Sequence, residues 1–365
     1  MQPTAGNDII EWIVKNKTKG KEIKVDITEI LKKLCEADGV SGCEGNAAKT
    51  AADLLRAYAS DAAADSFGNV TGFIGDRNNG KKTLLLEAHI DEIGFVVTYI
   101  DDKGFIKVAE CGGTDRRLYA AQTVTIHGKA PVRGVIATLP PHVQSDSKAA
   151  MKKEEIVIDT GYTKEQLEKL VSLGDRVTID GKFSVMNGTR VTGKAIDDRG
   201  GVAAVLYALD LLKDKETAYN IAVLFASQEE TGSRGAKIGA YNADADIALA
   251  TDVSFAYTPG AKKEKCGIMG KGAMIGIAPV LSDEVTAELK RIAKNKEIPV
   301  QFEVMGGDTG TDADEISIAK SGVKTGLISI PLKYMHTPVE VVDTADICAV
   351  GRLMAEFAEK EAVRI

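Results

Sequence analysis

Apolar residues along the chain fall into runs whose spacing separates helices from strands. Ile27, Ile30, Leu31 and Leu34 recur at helical intervals after Asp26, and Gly39 follows as a stop, so this spacing predicts a helix. A second helix is expected over 45–58, and a short amphipathic one around Ile9, Ile10, Trp12 and Ile13 before the Lys-rich stretch 15–22. Leu84-Leu85-Leu86, within 83–88, has no polar side, which suits a strand covered on both faces of a sheet. Further strands are predicted over 70–74, 221–226, 247–251 and 325–330, and helices over 198–212, 282–295 and 343–361. The alternation predicts an α/β fold: a mixed, mostly parallel sheet sandwiched by helices.

Between about 108 and 190 the texture changes. Short β-type runs at 123–126, 132–138, 156–158, 176–179 and 190–192 are broken by Gly and Pro, with a single helix expected over 163–171. This reads as a small β domain inserted into the α/β frame. The expected division is an N-terminal extension, 1–22, a catalytic domain made of 23–108 and 191–365, and an inserted β domain, 109–190.

Composition narrows the function. With 365 residues the chain has ample room for a buried core. Its net charge of −7 argues against a nucleic-acid partner, which calls for a basic patch. No apolar run reaches the roughly 18 residues of a membrane span, so no membrane partner is expected. The first fifteen residues lack the basic and apolar regions of a secretory signal. Five cysteines, odd in number and without C-x-x-C spacing, read as free thiols in a reducing compartment, and a cytoplasmic location is expected.

The candidate chemistry gathers where strands end. His89 and Asp91 follow the Leu-rich strand two residues apart, so in extended chain they face the same side, and the carboxylate can orient the imidazole. Asp197-Asp198 opens a helix; one of the two suits a cap and leaves the other free as a ligand. Glu229-Glu230 follows an apolar strand, where two adjacent carboxylates call for a compensating cation. Asp252 ends another apolar strand and His336 lies just beyond the last one. His127 and His142, in the inserted region, read as structural or surface residues. Together, two His, two Asp and Glu230 form a mixed N/O ligand set without thiolate, which suits Zn²⁺ or, in the same geometry, Co²⁺ or Mn²⁺. A carboxylate can bridge two such ions, which would bring the pKa of a bridging water from 15.7 toward about 7.

In this order the motifs resemble the dinuclear-metal aminopeptidases of the tetrahedral (TET) type, a family that includes glutamyl, leucyl, lysyl and deblocking enzymes and members labelled endoglucanases. The resemblance runs from about residue 24. It covers Gly39-Val-Ser-Gly42, Ala88-His-Ile-Asp-Glu-Ile-Gly-Phe95, Arg117-Leu-Tyr, Lys194-Ala-Ile-Asp-Asp-Arg199, Gln228-Glu-Glu230, Asp252, Gly310-Thr-Asp-Ala313 and Tyr334-Met-His-Thr-Pro-Val-Glu-Val-Val-Asp343. It implies a zinc-exopeptidase-like fold with a PDZ-like insert used for dimerisation, and dimers that build a hollow dodecamer. It implies one metal held by His89, Asp197 and Asp252 and another by Asp197, Glu230 and His336. Glu229 would be the general base and Asp91 the partner of His89. The substrates implied are unblocked peptides, hydrolysed at the N-terminal residue by a metal-bridging hydroxide. Gly310, Thr311 and Asp312, within the Gly-rich segment 306–313, are candidates to line the pocket through backbone N–H groups. The extension 1–22 and the extra acids Asp314-Glu315 depart from the family pattern.

Two rivals use similar residues. Carboxypeptidases and deacylases of the co-catalytic zinc class resemble a pattern with the insert before the last His, whereas here the long interval lies early, between Asp91 and Asp197. A β-glucanase would want two carboxyls on opposite sides of a glycosidic bond, about 5–9.5 Å apart. Adjacent Glu229 and Glu230 need not supply that, and one Trp with 5% aromatics offers few platforms for sugars.

Overall fold

The computed structural model describes residues 26–143 and 150–359, so the helix expected near residues 9–13 lies outside the described residues. Asp26 accepts hydrogen bonds from the N–H groups of Thr28 and Glu29 and starts α1 (Ile27–Glu36). Helix α2 (Gly45–Leu55) follows, then strands β1 (Ala63–Ala64), β2 (Val70–Ile74) and β3 (Thr83–His89).

The chain then leaves the sheet for a closed barrel of β4 (Gly94–Ile100), β5 (Ile106–Cys111), β6 (Thr123–His127), β7 (Pro131–Ile136), β8 (Val157–Asp159) and β9 (Arg176–Ile179), in the order β4-β5-β8-β7-β6-β9. The barrel thus takes in 94–111, ahead of the expected boundary at 109. The reason is visible in the packing: Phe95, Val97, Ile106 and Val108 point into a separate barrel core with Val124, Ile126 and Ile158. The helix expected over 163–171 contracts to α3 (Lys164–Leu167), beyond which the N–H groups of Lys169 and Leu170 turn back three residues, to the Gln166 and Leu167 carbonyls (3.3 and 2.8 Å), and tighten the chain into turns.

Strands β10 (Ser184–Val185) and β11 (Arg190–Gly193) lead to α4 (Ile196–Leu212), then β12 (Asn220–Ala226), α5 (Arg234–Ala243), β13 (Ile247–Phe255), β14 (Ala273–Ile277), α6 (Asp283–Asn295), β15 (Val300–Val304), α7 (Ala313–Ser317), β16 (Lys324–Leu332), β17 (Glu340–Asp343) and α8 (Thr344–Ala358). The main sheet has eight strands in the order β1-β2-β12-β3-β13-β16-β14-β15. Its centre, β12, β3, β13 and β16, is parallel, while β2 and β14 pair antiparallel with their inner neighbours.

The unbroken Leu run is explained by three layers. Leu84 and Leu86 pack with residues of α1, α4 and α8, whereas Leu85 turns to the other face, with Ala236 and Ala240 of α5 and Ile316 of α7. Helix α4 crosses the sheet closely: a Cβ on Gly201 would stand 2.5 Å from Thr251 Cγ2 and 2.1 Å from Asp198 Oδ2. Only a glycine fits there. In a parallel sheet the carboxyl ends of the strands open onto one crevice, and β3, β12, β13 and β16 deliver their following residues to it.

Candidate metal centre

Four of the five metal-ligand candidates sit at or near such an end. His89 closes β3, Glu229 and Glu230 follow β12, Asp252 lies in β13, His336 lies beyond β16, and Asp197 starts α4. Fold topology brings all five ligand candidates together in two overlapping groups, His89–Asp197–Asp252 and Asp197–Glu230–His336, with one ligating atom per residue and all such atoms within 4.8 Å in each group. Asp197 belongs to both. Its Oδ1 is 3.0 Å from His89 Nε2, and its Oδ2 is 3.2 Å from His336 Nε2. Glu230 Oε1 lies 3.4 Å from His336 Nε2, and Asp252 Oδ1 lies 3.9 Å from His89 Nε2. The choice the sequence left open between the two aspartates resolves: Asp198 Oδ1 accepts from the Gly201 N–H (3.0 Å), while Asp197 faces the imidazoles.

Two further acids hold this arrangement. Asp91 Oδ1 lies 3.5 Å from His89 Nδ1 and accepts from the Glu229 N–H (2.9 Å). Its Oδ2 accepts from Ser41 Oγ (2.5 Å) and from the Glu230 N–H (3.2 Å). Asp91 therefore fixes the Glu-Glu turn, where Gln228 has a φ of +57°, and its carboxylate faces the His89 ring. Glu340 does the same on the opposite side. It accepts from the N–H groups of Ile196 (2.8 Å), Asp197 (3.2 Å) and His336 (2.9 Å). Behind them, Lys194 Nζ contacts Glu92 at 2.7 Å, and the fully buried Arg199 reaches Glu92 and the Ile90 carbonyl. These residues belong to the quoted motifs, yet their roles as supports had no signal in the sequence beyond that proximity. Ser41 and Glu340 were missed for the same reason.

The electrostatics call for cations. Burial lifts the carboxyls of Glu230 and Asp252 well above the usual range, and Asp197 adds repulsion at both. Burial would raise Asp197 too, but hydrogen bonds to His336 and His89 hold it well below its ordinary value. Burial works against the charged form of His336, but Asp197 and Glu230 outweigh it and push it up to about 9. Burial raises Glu229 to about 7, with Asp312, Asp91 and Asp197 contributing. Crowded carboxylates with two imidazoles are a donor set that divalent cations fit, since their charge removes the repulsion that otherwise opposes ionisation.

A cavity of about 420 Å³ opens over the centre, within the range of ligand-binding clefts. Gly310 and Thr311 line it; Asp312 does not line it and is buried. The backbone donors expected from this loop are already used. The N–H groups of Thr309 and Gly310 donate to Asp314 (2.9 and 3.0 Å), and that of Thr311 to Thr309 Oγ1 (3.3 Å). Asp314, one of the acids departing from the family pattern, thus shapes the loop from within. His127 pairs with Thr178 Oγ1 (2.9 Å) and has Asp38 at 3.9 Å, and His142 is exposed.

A His/carboxylate centre at the carboxyl ends of parallel strands, set under a cleft, belongs to a metal-dependent hydrolase. The profile of the family described as M42 glutamyl aminopeptidase matches residues 68–353; the chain belongs to that family and is a metallo-aminopeptidase. It is 32% identical over 329 residues to a lysyl aminopeptidase of Pyrococcus furiosus, covering 87% of this chain and 93% of the relative. Among solved structures it is similar to aminopeptidase APDkam598 of the archaeon Desulfurococcus kamchatkensis, with 34% identity, TM-score 0.86, and 92% and 95% of the two chains covered. It is also similar to the Pyrococcus horikoshii TET1 peptidase, described as able to assemble into a tetrahedron or a large octahedral shell, at 30% identity and TM-score 0.79, covering 93% of this chain and all of that one.

Proposed function

We propose that the protein is a co-catalytic dinuclear aminopeptidase that removes the N-terminal residue from unblocked peptides. The observation that carries this reading is the sharing of Asp197 between two His/carboxylate groups, with Glu229 beside them at the cavity wall. Two divalent ions, Zn²⁺ by its donor preference with Co²⁺ or Mn²⁺ as substitutes, would supply Lewis-acid activation of water and of the scissile carbonyl. His89, Asp197 and Asp252 would hold one and Asp197, Glu230 and His336 the other. Glu229 takes a proton from water and returns it to the leaving amine, a task suited to a carboxyl at the cavity wall beside the ligand candidates. Asp91 and Glu340 act as positioning residues through the hydrogen bonds described above.

The barrel, 94–179, corresponds in this reading to a PDZ-like assembly module, and the chain forms dimers that build a hollow dodecamer. The TET1 neighbour's closed shells support this. Five free cysteines, Cys35, Cys43, Cys111, Cys266 and Cys348, support a reducing, cytoplasmic location. No helix among the described residues is long and apolar enough to cross a membrane. The test is hydrolysis of free and N-acetylated peptides by metal-loaded protein. Cleavage of free N-termini alone is expected; cleavage of acylated or C-terminal bonds instead would favour the deacylase or carboxypeptidase class, and cleavage of β-glucan the glucanase.

A further inference from the structure

Relatives in this family carry names that point to different N-terminal residues, lysyl and glutamyl among them. The walls of the cavity discriminate between these. Sixteen residues line it, and no lysine or arginine is among them. Apart from the acids of the centre, Asp197, Glu229, Glu230 and Asp252, the lining contains one further charged side chain, Glu303.

Glu303 is built into the wall rather than loose at its rim. It lies on β15, opposite Gly276 of β14, and its Oε1 accepts from Ser254 Oγ while Oε2 accepts from Ser329 Oγ (3.0 Å). Both serines belong to the strands that form the centre. Ser329 of β16 pairs with Asp252 of β13, and Ser254 stands two residues further along β13, roughly 7 Å at about 3.4 Å per residue. Each carboxylate oxygen accepts one hydroxyl and keeps lone pairs for a cationic donor. Val253, Phe255, Leu327 and Met335 are the large apolar residues of the lining.

A cavity with apolar lining and one acid beyond the centre, held two strand residues along from Asp252, matches a side chain with an apolar stem and a cationic head. We infer that the cavity selects peptides whose N-terminal residue is lysine or arginine, with Glu303 receiving the side-chain cation. This rests on the aminopeptidase reading and specifies it. The charges of the lining agree: no lysine or arginine is there to compensate Glu303. A glutamate side chain in the same place meets repulsion, and leucine leaves the acid with its two serine hydroxyls and no cation.

The test compares kcat/KM for Lys, Arg, Leu, Met and Glu anilides on metal-loaded protein. Lys and Arg are expected to exceed Leu by roughly tenfold to a hundredfold, the range of one hydrogen bond to an ionised group, with Glu the poorest. Glu303→Gln is expected to lower the Lys/Leu ratio by about the same factor, chiefly through a higher KM for Lys. L-lysine is expected to inhibit at lower concentration than L-norleucine, which has the same stem without the ammonium, and Glu303→Gln is expected to erase that gap. Preference for Leu or Glu in the unmodified enzyme, or a Lys/Leu ratio unchanged by Glu303→Gln, overturns the assignment while leaving the aminopeptidase reading intact. No hydrolysis of any anilide by protein holding metal overturns both.

Discussion

Glu340→Gln tests how the centre is held. Glu340 is 2% exposed and has three backbone N–H donors on its two oxygens, two from the start of α4 and one from His336. Burial, and then the charge of Asp197, push its carboxyl up to about 8 against those donors, and cations bound at Asp197 would remove that repulsion. The segments it ties are conformationally costly, with positive φ at Ala195 (+56°), Tyr334 (+59°) and His336 (+61°). Non-glycine residues held there cost on the order of 1–3 kcal/mol each and persist only where surroundings enforce them. A glutamine keeps the shape but has one acceptor. With its oxygen toward Ile196 and Asp197, its NH₂ meets the His336 N–H donor to donor, and the buried N–H left unpaired costs about 1–3 kcal/mol. That is comparable to the backbone cost, so the His336 segment relaxes while the start of α4 stays. Loss of a partner that orients a ligand typically weakens metal binding 10–100-fold. Equilibrium dialysis against Zn²⁺, with metal counted by mass spectrometry, is expected to show one equivalent bound as before and the other weakened by that factor. Two equivalents bound with unchanged affinity would refute the reasoning.

Other perturbations separate the parts. Glu229→Gln is expected to keep bound metal and melting temperature, because Asp91 holds this turn through the backbone, while kcat falls about 10²–10⁴-fold; retention of full activity would remove Glu229 as the base. Asp91→Asn, which replaces one of the two oxygens shared by Ser41, Glu229 and Glu230 with an NH₂ group and so leaves at least one of these donors unpaired, should weaken metal binding at the His89 group 10–100-fold in the same dialysis. Gly201→Ala forces a methyl to within 2.5 Å of Thr251 Cγ2, an overpacking expected to cost about 1–3 kcal/mol in a denaturant melt. Chelation is expected to abolish peptidase activity reversibly, with Zn²⁺, Co²⁺ or Mn²⁺ restoring it.

What could be read in the sequence was what its periodicity and strand ends encode. The central strands were legible because β3 and β12 are apolar on both faces, and those ends are where His89, Glu230, Asp252 and His336 fall. Strand β14 and the edge strand β15 escaped because Gly267, Gly270 and Gly272 crowd the approach to the first and Gly276 interrupts it, while the second alternates exposed apolar with half-buried polar residues. Glu303 went unseen with them. The barrel's first strands fall largely inside the expected catalytic segment, 23–108, because Phe95 and Val97 look the same whichever core they enter. Glu340 reaches Ile196 and Asp197, and Ser41 reaches Asp91, over long sequence separations through backbone or hydroxyl donors, which no local spacing announces.

The central claim is most directly tested by release of the first residue from an unblocked peptide, followed by mass spectrometry, with apo protein and its metal-refilled form side by side and the N-acetylated peptide as partner substrate. The account predicts loss of one residue at a time from the free peptide, only with metal bound, and none from the acetylated one. Metal-independent cleavage, or equal cleavage of the acetylated peptide, would contradict it.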